Sequence, residues 1–419
     1  MKIAVIGAGI TGTASAYYLA DYAEVVVFEK ELSAGGLCSA VDCTAGRIEK
    51  YNHFISASDL DLIELIRDLG LENKLFFRQT SQSIVKDGCV YRLNGGRDLL
   101  NYPFLSFYDK CKLGLFYLRH LWGVDPERLF DLEARDWIEK QTTVNVFRHF
   151  FEPLLKFKFE NFSGVSAAYL WARMNEKKNN RIGYLQGSMK ELFLALTGKL
   201  EQKGVRLRTG TRITGISRSG QGCQVETANS AKEEFDYVIS TLPAAETFRL
   251  SAEGINTEAG EVMPRYLNVR SCLMSLKEPP GLESWIYLID TGDGLRVLID
   301  ASVLTGKNFL YFPQYSEKEF SPSDDEGAIR DECLSILKFI CPDIKSSAIE
   351  DFVVCRDQRV EPVLDGAWLR SLRQGRYHFD GLYISELFYE PRLLKTINTC
   401  LVKGRAIARD IIARGKAAG

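Results

Sequence analysis

The sequence is poor in the residues that build metal and redox centres. Only four histidines occur in 419 residues. The ten cysteines form no CxxC pair and have no close histidine partner, so a zinc knuckle is excluded and no metal site is expected. Scattered in this way, they read as reduced thiols of a cytoplasmic protein. Charge of one sign is also lacking. Lys plus Arg number 53 against 55 Asp plus Glu, a formal balance of -2, which argues against the basic face or stripe that nucleic acid requires. No stretch of ~18 apolar residues runs free of charge, so no membrane-spanning segment is expected. The opening MKIAVIGAGI has no basic region ahead of a separate apolar stretch, and no secretion signal is expected. There is no internal repeat, no low-complexity linker and no second glycine-rich nucleotide motif.

What is present begins with length. A chain of 419 residues exceeds the ~250–300 at which a single core stops growing, so two interleaved domains are expected. The short apolar run 2–6 is followed by Gly7-Ala8-Gly9-Ile10-Thr11-Gly12, a helical stretch over 13–20, and a β-branched run from Glu24 to Phe28 that ends at Glu29. This is a βαβ opening. Its glycines have separate tasks: Gly7 makes the tight turn, Gly9 lets backbone approach a pyrophosphate, and Gly12 lets helix pack on strand. The helix N-terminus then faces the phosphates. Glu29 stands where a carboxylate accepts both ribose hydroxyls of an adenosine and repels a 2′-phosphate, which favours FAD or NAD over NADP.

Further along, 58–71 shows helical spacing of Leu62, Leu65, Ile66 and Leu69, and Asp87-Gly88 marks a hairpin within 81–93. Residues 107–175 are helical in composition and rich in aromatics. An α/β rhythm returns over 183–240, with a helix over 189–203 stopped by Gly204. Several strands are expected over 266–315, a helix over 324–341, a strand over 382–385, and a closing helix over 395–413.

Gly35-Gly36-Leu37, just past Glu29, resembles the flavin-containing amine oxidase superfamily, in which a paired glycine brings a second backbone loop onto the pyrophosphate. Glu49-Lys50-Tyr51-Asn52-His53, Phe151-Glu152-Pro153-Leu154-Leu155-Lys156, the run 165–173 and Gly183-Tyr184-Leu185-Gln186-Gly187-Ser188 look like its protoporphyrinogen-oxidase-like branch. The resemblance implies an α/β fold: a three-layer, Rossmann-like FAD domain with a parallel sheet, and an α+β substrate domain carrying a helical insert. The FAD domain is expected from 1–55, 183–245 and 356–419. Segments 56–182 and 246–355 are expected to join as one substrate domain, since each alone leaves an apolar face uncovered.

The resemblance further implies FAD contacts at Gly7, Gly9, Ile10, Thr11, Gly12, Glu29, Lys30, Gly35, Gly36, Leu37 and Ile213. Glu386 matches the acid that binds the ribityl chain. Thr396 and Ile397 match the helix start whose amides stabilise the reduced ring. Ser385, Thr399-Cys400 and Lys403-Gly404 depart from the family pattern. No cysteine or histidine stands at a family attachment position, so the flavin is expected to be non-covalent.

Hydride transfer to flavin N5 needs little acid–base help, so no triad is required. His53 is a candidate proton acceptor or a structural histidine, and Arg392 a clamp for an anionic group or a surface ion pair. Tyr389 and Trp368 are candidate pocket walls or core residues. The segment 104–122 fits a weak membrane-surface association as well as a partly buried amphipathic helix. The functional expectation is oxidation of a small organic substrate at an amine C–N or saturated C–C bond, with oxygen, a quinone or another carrier as final acceptor. The alternatives are a flavin-dependent isomerase resembling UDP-galactopyranose mutase and a non-catalytic flavin-binding protein. Oligomeric state is not legible.

Overall fold

The computed structural model describes every residue except 121–123, 177–180, 221, 252–262, 290–294, 376, 380 and 418–419. The chain opens with β1 (Lys2–Ile6), α1 (Ile10–Leu19) and β2 (Glu24–Phe28). Ile3 to Ile6 and Val25 to Phe28 are buried without alternation, the pattern of a parallel strand covered on both faces. β1 is the third strand of a six-stranded sheet. Its order is Arg206–Arg208, β2, β1, Tyr237–Ser240, Leu382–Ile384 and His378–Phe379, with only the last strand antiparallel. Strands from the beginning, middle and end of the chain thus share one sheet.

Each face of that sheet has its own cover. Ile3, Val5, Val27 and Ile239 pack against Ala16 and Leu19 of α1, Leu200 of the helix Met189–Gln202, and Ile407 and Ile411 of the closing helix Ile397–Ala417. On the other face, Ala4, Val26, Phe28 and Val238 meet Cys223, Val225 and Phe235 of a three-stranded antiparallel sheet over 213–235. The closing helix crosses α1 at close range. A Cβ on Gly404 would lie 2.5 Å from the Thr11 carbonyl oxygen, so only glycine fits there.

A seven-stranded sheet forms the other half of the molecule, in the order Ile349–Pro362, Tyr266–Leu276, Phe309–Ser316, Val297–Asp300, Trp285–Leu288, Gln82–Lys86 and Cys89–Arg92. The hairpin read from Asp87-Gly88 is present, with both residues at positive φ (50° and 73°), as a tight primed turn demands. One face, with Cys272, Met274, Leu310 and Phe312, is covered by Ile329, Cys333 and Leu337 of the helix Glu326–Ile340. The other, with Leu273, Tyr287, Ile299 and Tyr311, faces Phe116, Trp137, Phe151, Leu155 and Tyr169 of the helical region. The strand Ile349–Pro362 runs unbroken through position 356 and pairs with Tyr266–Leu276 along its length. The strand thus passes through position 356, where the FAD part is expected to resume, and its pairing continues to Pro362.

Candidate functional site

The N-terminus of α1 is left open. Its N-cap is Gly9, which has no side chain to occupy the first-turn amides, here those of Ile10, Thr11 and Gly12. Gly7 turns at φ 98°, and a Cβ there would meet Thr241 Oγ1 at 2.4 Å. On Gly12 a Cβ would fall 2.0 Å from the Gly7 carbonyl oxygen. Facing this turn is Gly36, at φ 55°, where a Cβ would stand 3.2 Å from Gly9 Cα. The Gly35 amide, at φ 145°, donates to the Ala8 carbonyl at 3.0 Å and locks the second loop onto the first. Two stretches of bare backbone therefore face each other across the helix end, with Gly36 exposed, Leu37 leaning on the main core and Ile10 buried against the closing helix.

Glu29 closes one side. It is only 6% exposed; Oε2 accepts from Ala8 N at 2.7 Å and Oε1 from Glu31 N at 2.9 Å. Lone pairs remain on both oxygens for further donors. Lys30 instead points to solvent, 3.7 Å from Glu31, so its side chain takes no part in the cradle. Thr211 N and Gly210 N donate to the carbonyls of Glu29 and Glu31, both at 2.8 Å, which brings buried Ile213 to the end of β2.

The C-terminal elements are built through contacts remote in sequence. Glu386 Oε2 accepts from Ala244 N at 2.7 Å and from the hydroxyl of Tyr266, on the seven-stranded sheet. Thr396 and Thr399 cap the closing helix reciprocally: Thr396 N donates to Thr399 Oγ1 at 2.8 Å, and Thr399 N to Thr396 Oγ1 at 3.1 Å. Ile397 is buried beside Ile10, so this helix end packs close to the open end of α1. Buried Asn398 accepts from Leu62 N at 2.8 Å and ties in the helix Leu60–Asp68. Tyr266 and Asn398 carry no sequence signal, because their partners lie 120 and 336 residues away.

His53 Nδ1 donates to the Tyr51 carbonyl at 3.0 Å, which leaves Nε2 as the acceptor. Burial pulls its pKa down to about 4 against that hydrogen bond, so the ring is neutral at pH 7. Around it, Tyr51 donates to Asp357 at 2.8 Å, Tyr184 to Asn52 at 3.2 Å and Tyr311 to the Glu49 carbonyl at 2.9 Å. Glu49 is buried, accepts from Met189 N at 2.7 Å, and is pushed by burial above the usual carboxylate range.

Two catalytic candidates are corrected. Arg392, with 46% of its side chain exposed, is already paired with Glu390 at 2.8 Å and Asp61 at 3.4 Å, a surface ion pair rather than a substrate clamp. Tyr389 donates outward to Glu127 at 3.3 Å, with Arg373 over its ring, so it does not wall a pocket. Trp368 is a core residue, 1% exposed. Among the described residues no group of three or more His, Cys, Asp or Glu is placed to hold a metal ion.

The family model for flavin containing amine oxidoreductases matches residues 10–398. The chain belongs to that family. Coproporphyrinogen III oxidase from Staphylococcus aureus is 24% identical over 286 residues, which is 58% of this chain and 60% of that protein. Mitochondrial protoporphyrinogen oxidase from Nicotiana tabacum is 34% identical over 116 residues, 27% of this chain and 23% of that one. An oxidoreductase structure from Methanosarcina mazei superposes with TM-score 0.74 at 18% identity, covering 98% of this chain and 100% of the other. As a member of that family it is an FAD-dependent oxidoreductase, and its fold is the amine oxidase type. Its residues suit that cofactor: Gly36 packs against Gly9 backbone to backbone, and no side chain caps the first-turn amides of α1, which can face a pyrophosphate.

Proposed function

We propose that the enzyme oxidises a small organic substrate at an amine C–N or saturated C–C bond, delivering the electrons to non-covalently held FAD. The carrying observation is the Gly9–Gly36 cradle at the open end of α1, flanked by the carboxylate of Glu29. On this reading Gly7, Gly9, Ile10, Thr11, Gly12, Gly35 and Gly36 meet the pyrophosphate through backbone, and Glu29 takes the ribose. Ile213 borders the adenine, Glu386 binds the ribityl chain, and the Thr396–Ile397 helix end lies at the ring. Bound FAD supplies a two-electron acceptor. The chain's own part is to orient the donor carbon and to exclude water. His53 stays neutral at pH 7, with Nδ1 donating to the Tyr51 carbonyl and Nε2 free to accept a hydrogen bond, and burial makes it a poor base for a protonated amine. The nucleotide-binding part comprises 1–55, 183–245 and the chain beyond Pro362. The substrate part comprises 56–182 and the remainder of the seven-stranded sheet.

A metabolite panel screened anaerobically for loss of flavin absorbance tests the reading. Bleaching by an amine or a saturated carbon compound, without added reductant, is expected. Turnover that needs prior dithionite reduction and leaves no net oxidation would overturn it in favour of an isomerase resembling UDP-galactopyranose mutase. A flavin inert to the whole panel and to oxygen, quinones and other carriers would leave a binding protein.

A further inference from the structure

Lys403 lies in the second turn of the closing helix Ile397–Ala417. Its neighbours fix where it points. Gly404 is pressed on Thr11 of α1, Ile407 is buried in the cluster of Tyr383 on the strand Leu382–Ile384, and Asp410 accepts the Tyr383 hydroxyl at 2.8 Å. Positions 403, 407 and 410 share one face of a helix, so Lys403 enters the layer between the closing helix and the sheet. Long helical side chains lean toward the N-terminus of their helix. The ionisable groups around this ammonium are accordingly Cys400, Glu386, Lys395 and Glu390, all ahead of it in the chain and gathered at the helix start.

Other lysines in partly buried places take an acid directly: Lys2 reaches Glu233 at 2.8 Å, Lys158 reaches Glu361 at 2.5 Å and Lys203 reaches Asp21 at 2.6 Å. Lys403, half-buried, does not. Both acids near it are engaged elsewhere, Glu386 with Ala244 N and the Tyr266 hydroxyl, Glu390 with Arg392 at 2.8 Å. Among the described residues it makes no hydrogen bond and no ion-pair contact, and burial holds its pKa below the ordinary lysine value. An ammonium withdrawn from water without a partner is destabilising until a negative charge comes close. Reduction of bound FAD supplies one, since two electrons and one proton leave a single negative charge on the ring. On the reading given above, the ring lies at the Thr396–Ile397 helix end, under two turns ahead of Lys403 and on the side to which its side chain leans. The pyrophosphate is assigned to the Gly9–Gly36 cradle, at the end of a different helix.

We propose that Lys403 supplies the positive charge that stabilises the anionic reduced ring of FAD. The inference rests on the ring placement under Proposed function, and not on which bond is oxidised. Its test compares flavin-loaded wild type with Lys403→Met, which keeps the length and apolar stem of the side chain and removes the charge. Loss of a charge-assisted contact should weaken the preference for reduced over oxidised flavin about tenfold to a hundredfold, lowering the two-electron midpoint potential against a reference dye by about 30–60 mV. Protonation of the reduced ring, followed by its absorbance, should move to higher pH by about one to two units. Oxidised FAD should bind within about threefold of wild type, and Lys403→Arg should keep the wild-type preference within about threefold. The flavin-free Lys403→Met protein should melt no lower than wild type, because the unpaired ammonium is gone. Thr396→Glu, which sets a negative charge at the helix start, tests the placement separately and should also lower the potential. A lowered potential in Thr396→Glu with an unmoved one in Lys403→Met overturns this inference alone. Potentials unmoved in both overturn the ring placement with it. An unmoved potential in Lys403→Met with oxidised FAD bound roughly tenfold or more weakly assigns the ammonium to the pyrophosphate instead.

Discussion

Replacing Glu29 by Gln separates its two tasks. Both carboxylate oxygens accept a backbone amide, from Ala8 at 2.7 Å and Glu31 at 2.9 Å, in a site only 6% exposed. Glutamine keeps the size but has one acceptor atom, so its NH2 group must face one of those two donors. The flavin-free protein then loses a charge-assisted bond and strands a buried N–H, about 2–4 kcal/mol together. A fall of several degrees in the melting temperature of the flavin-free protein is expected. The proposed ribose contact is a second, separable loss of ~1.5–3 kcal/mol, or about tenfold to a hundredfold weaker FAD binding. FAD titration of the flavin-free variant, followed by flavin fluorescence, reads that loss. A variant that melts early yet binds FAD within twofold of wild type would leave Glu29 as a brace for the first turn and refute its role at the ribose.

Gly36→Val should abolish flavin retention on dialysis, since its Cβ would press within 3.2 Å of Gly9 Cα from a backbone at φ 55°; retained yellow colour would defeat the cradle. Tyr266→Phe removes one donor from Glu386 and should weaken FAD roughly fivefold by the same titration, with the protein still folded. The folded pKa of His53, about 4, lies below the ordinary ~6.5 of an unfolded histidine, so its contribution to stability is intact above pH 6.5. That contribution falls away as pH drops toward 4, by roughly 2–3 kcal/mol. Denaturant melts of wild type and His53→Gln should therefore converge as pH falls through this window; parallel curves would count against the burial of the imidazole.

The first fifty residues were the most legible. An unalternating apolar run, three spaced glycines and a β-branched run ending in Glu29 are local demands on backbone geometry; β1 and β2 keep the expected bounds, and α1 begins at Ile10, three residues ahead of the expected stretch. The Gly35-Gly36 loop belongs to the same class, because positive φ and close approach admit little besides glycine. Helix and hairpin periods further along were legible for the same reason: period 3.6 or 2 is a property of neighbours in sequence. Boundaries set by pairing were not, and Ile349–Pro362 overran position 356 because its partner, Tyr266–Leu276, is long. Nor was the direction of any polar side chain legible. Arg392 lies near the closing helix in sequence, yet one of its partners is Asp61, 331 residues earlier, and that pairing turns it to the surface. Tyr389 goes to Glu127 by the same logic, and Glu386 acquires Tyr266. By itself the sequence determined where the backbone must turn and approach closely, since dihedral sterics act on adjacent residues. Only the tertiary structure decided which charged and hydroxyl groups satisfy one another, since burial lets each polar atom take whichever partner the closed chain brings within hydrogen-bond reach.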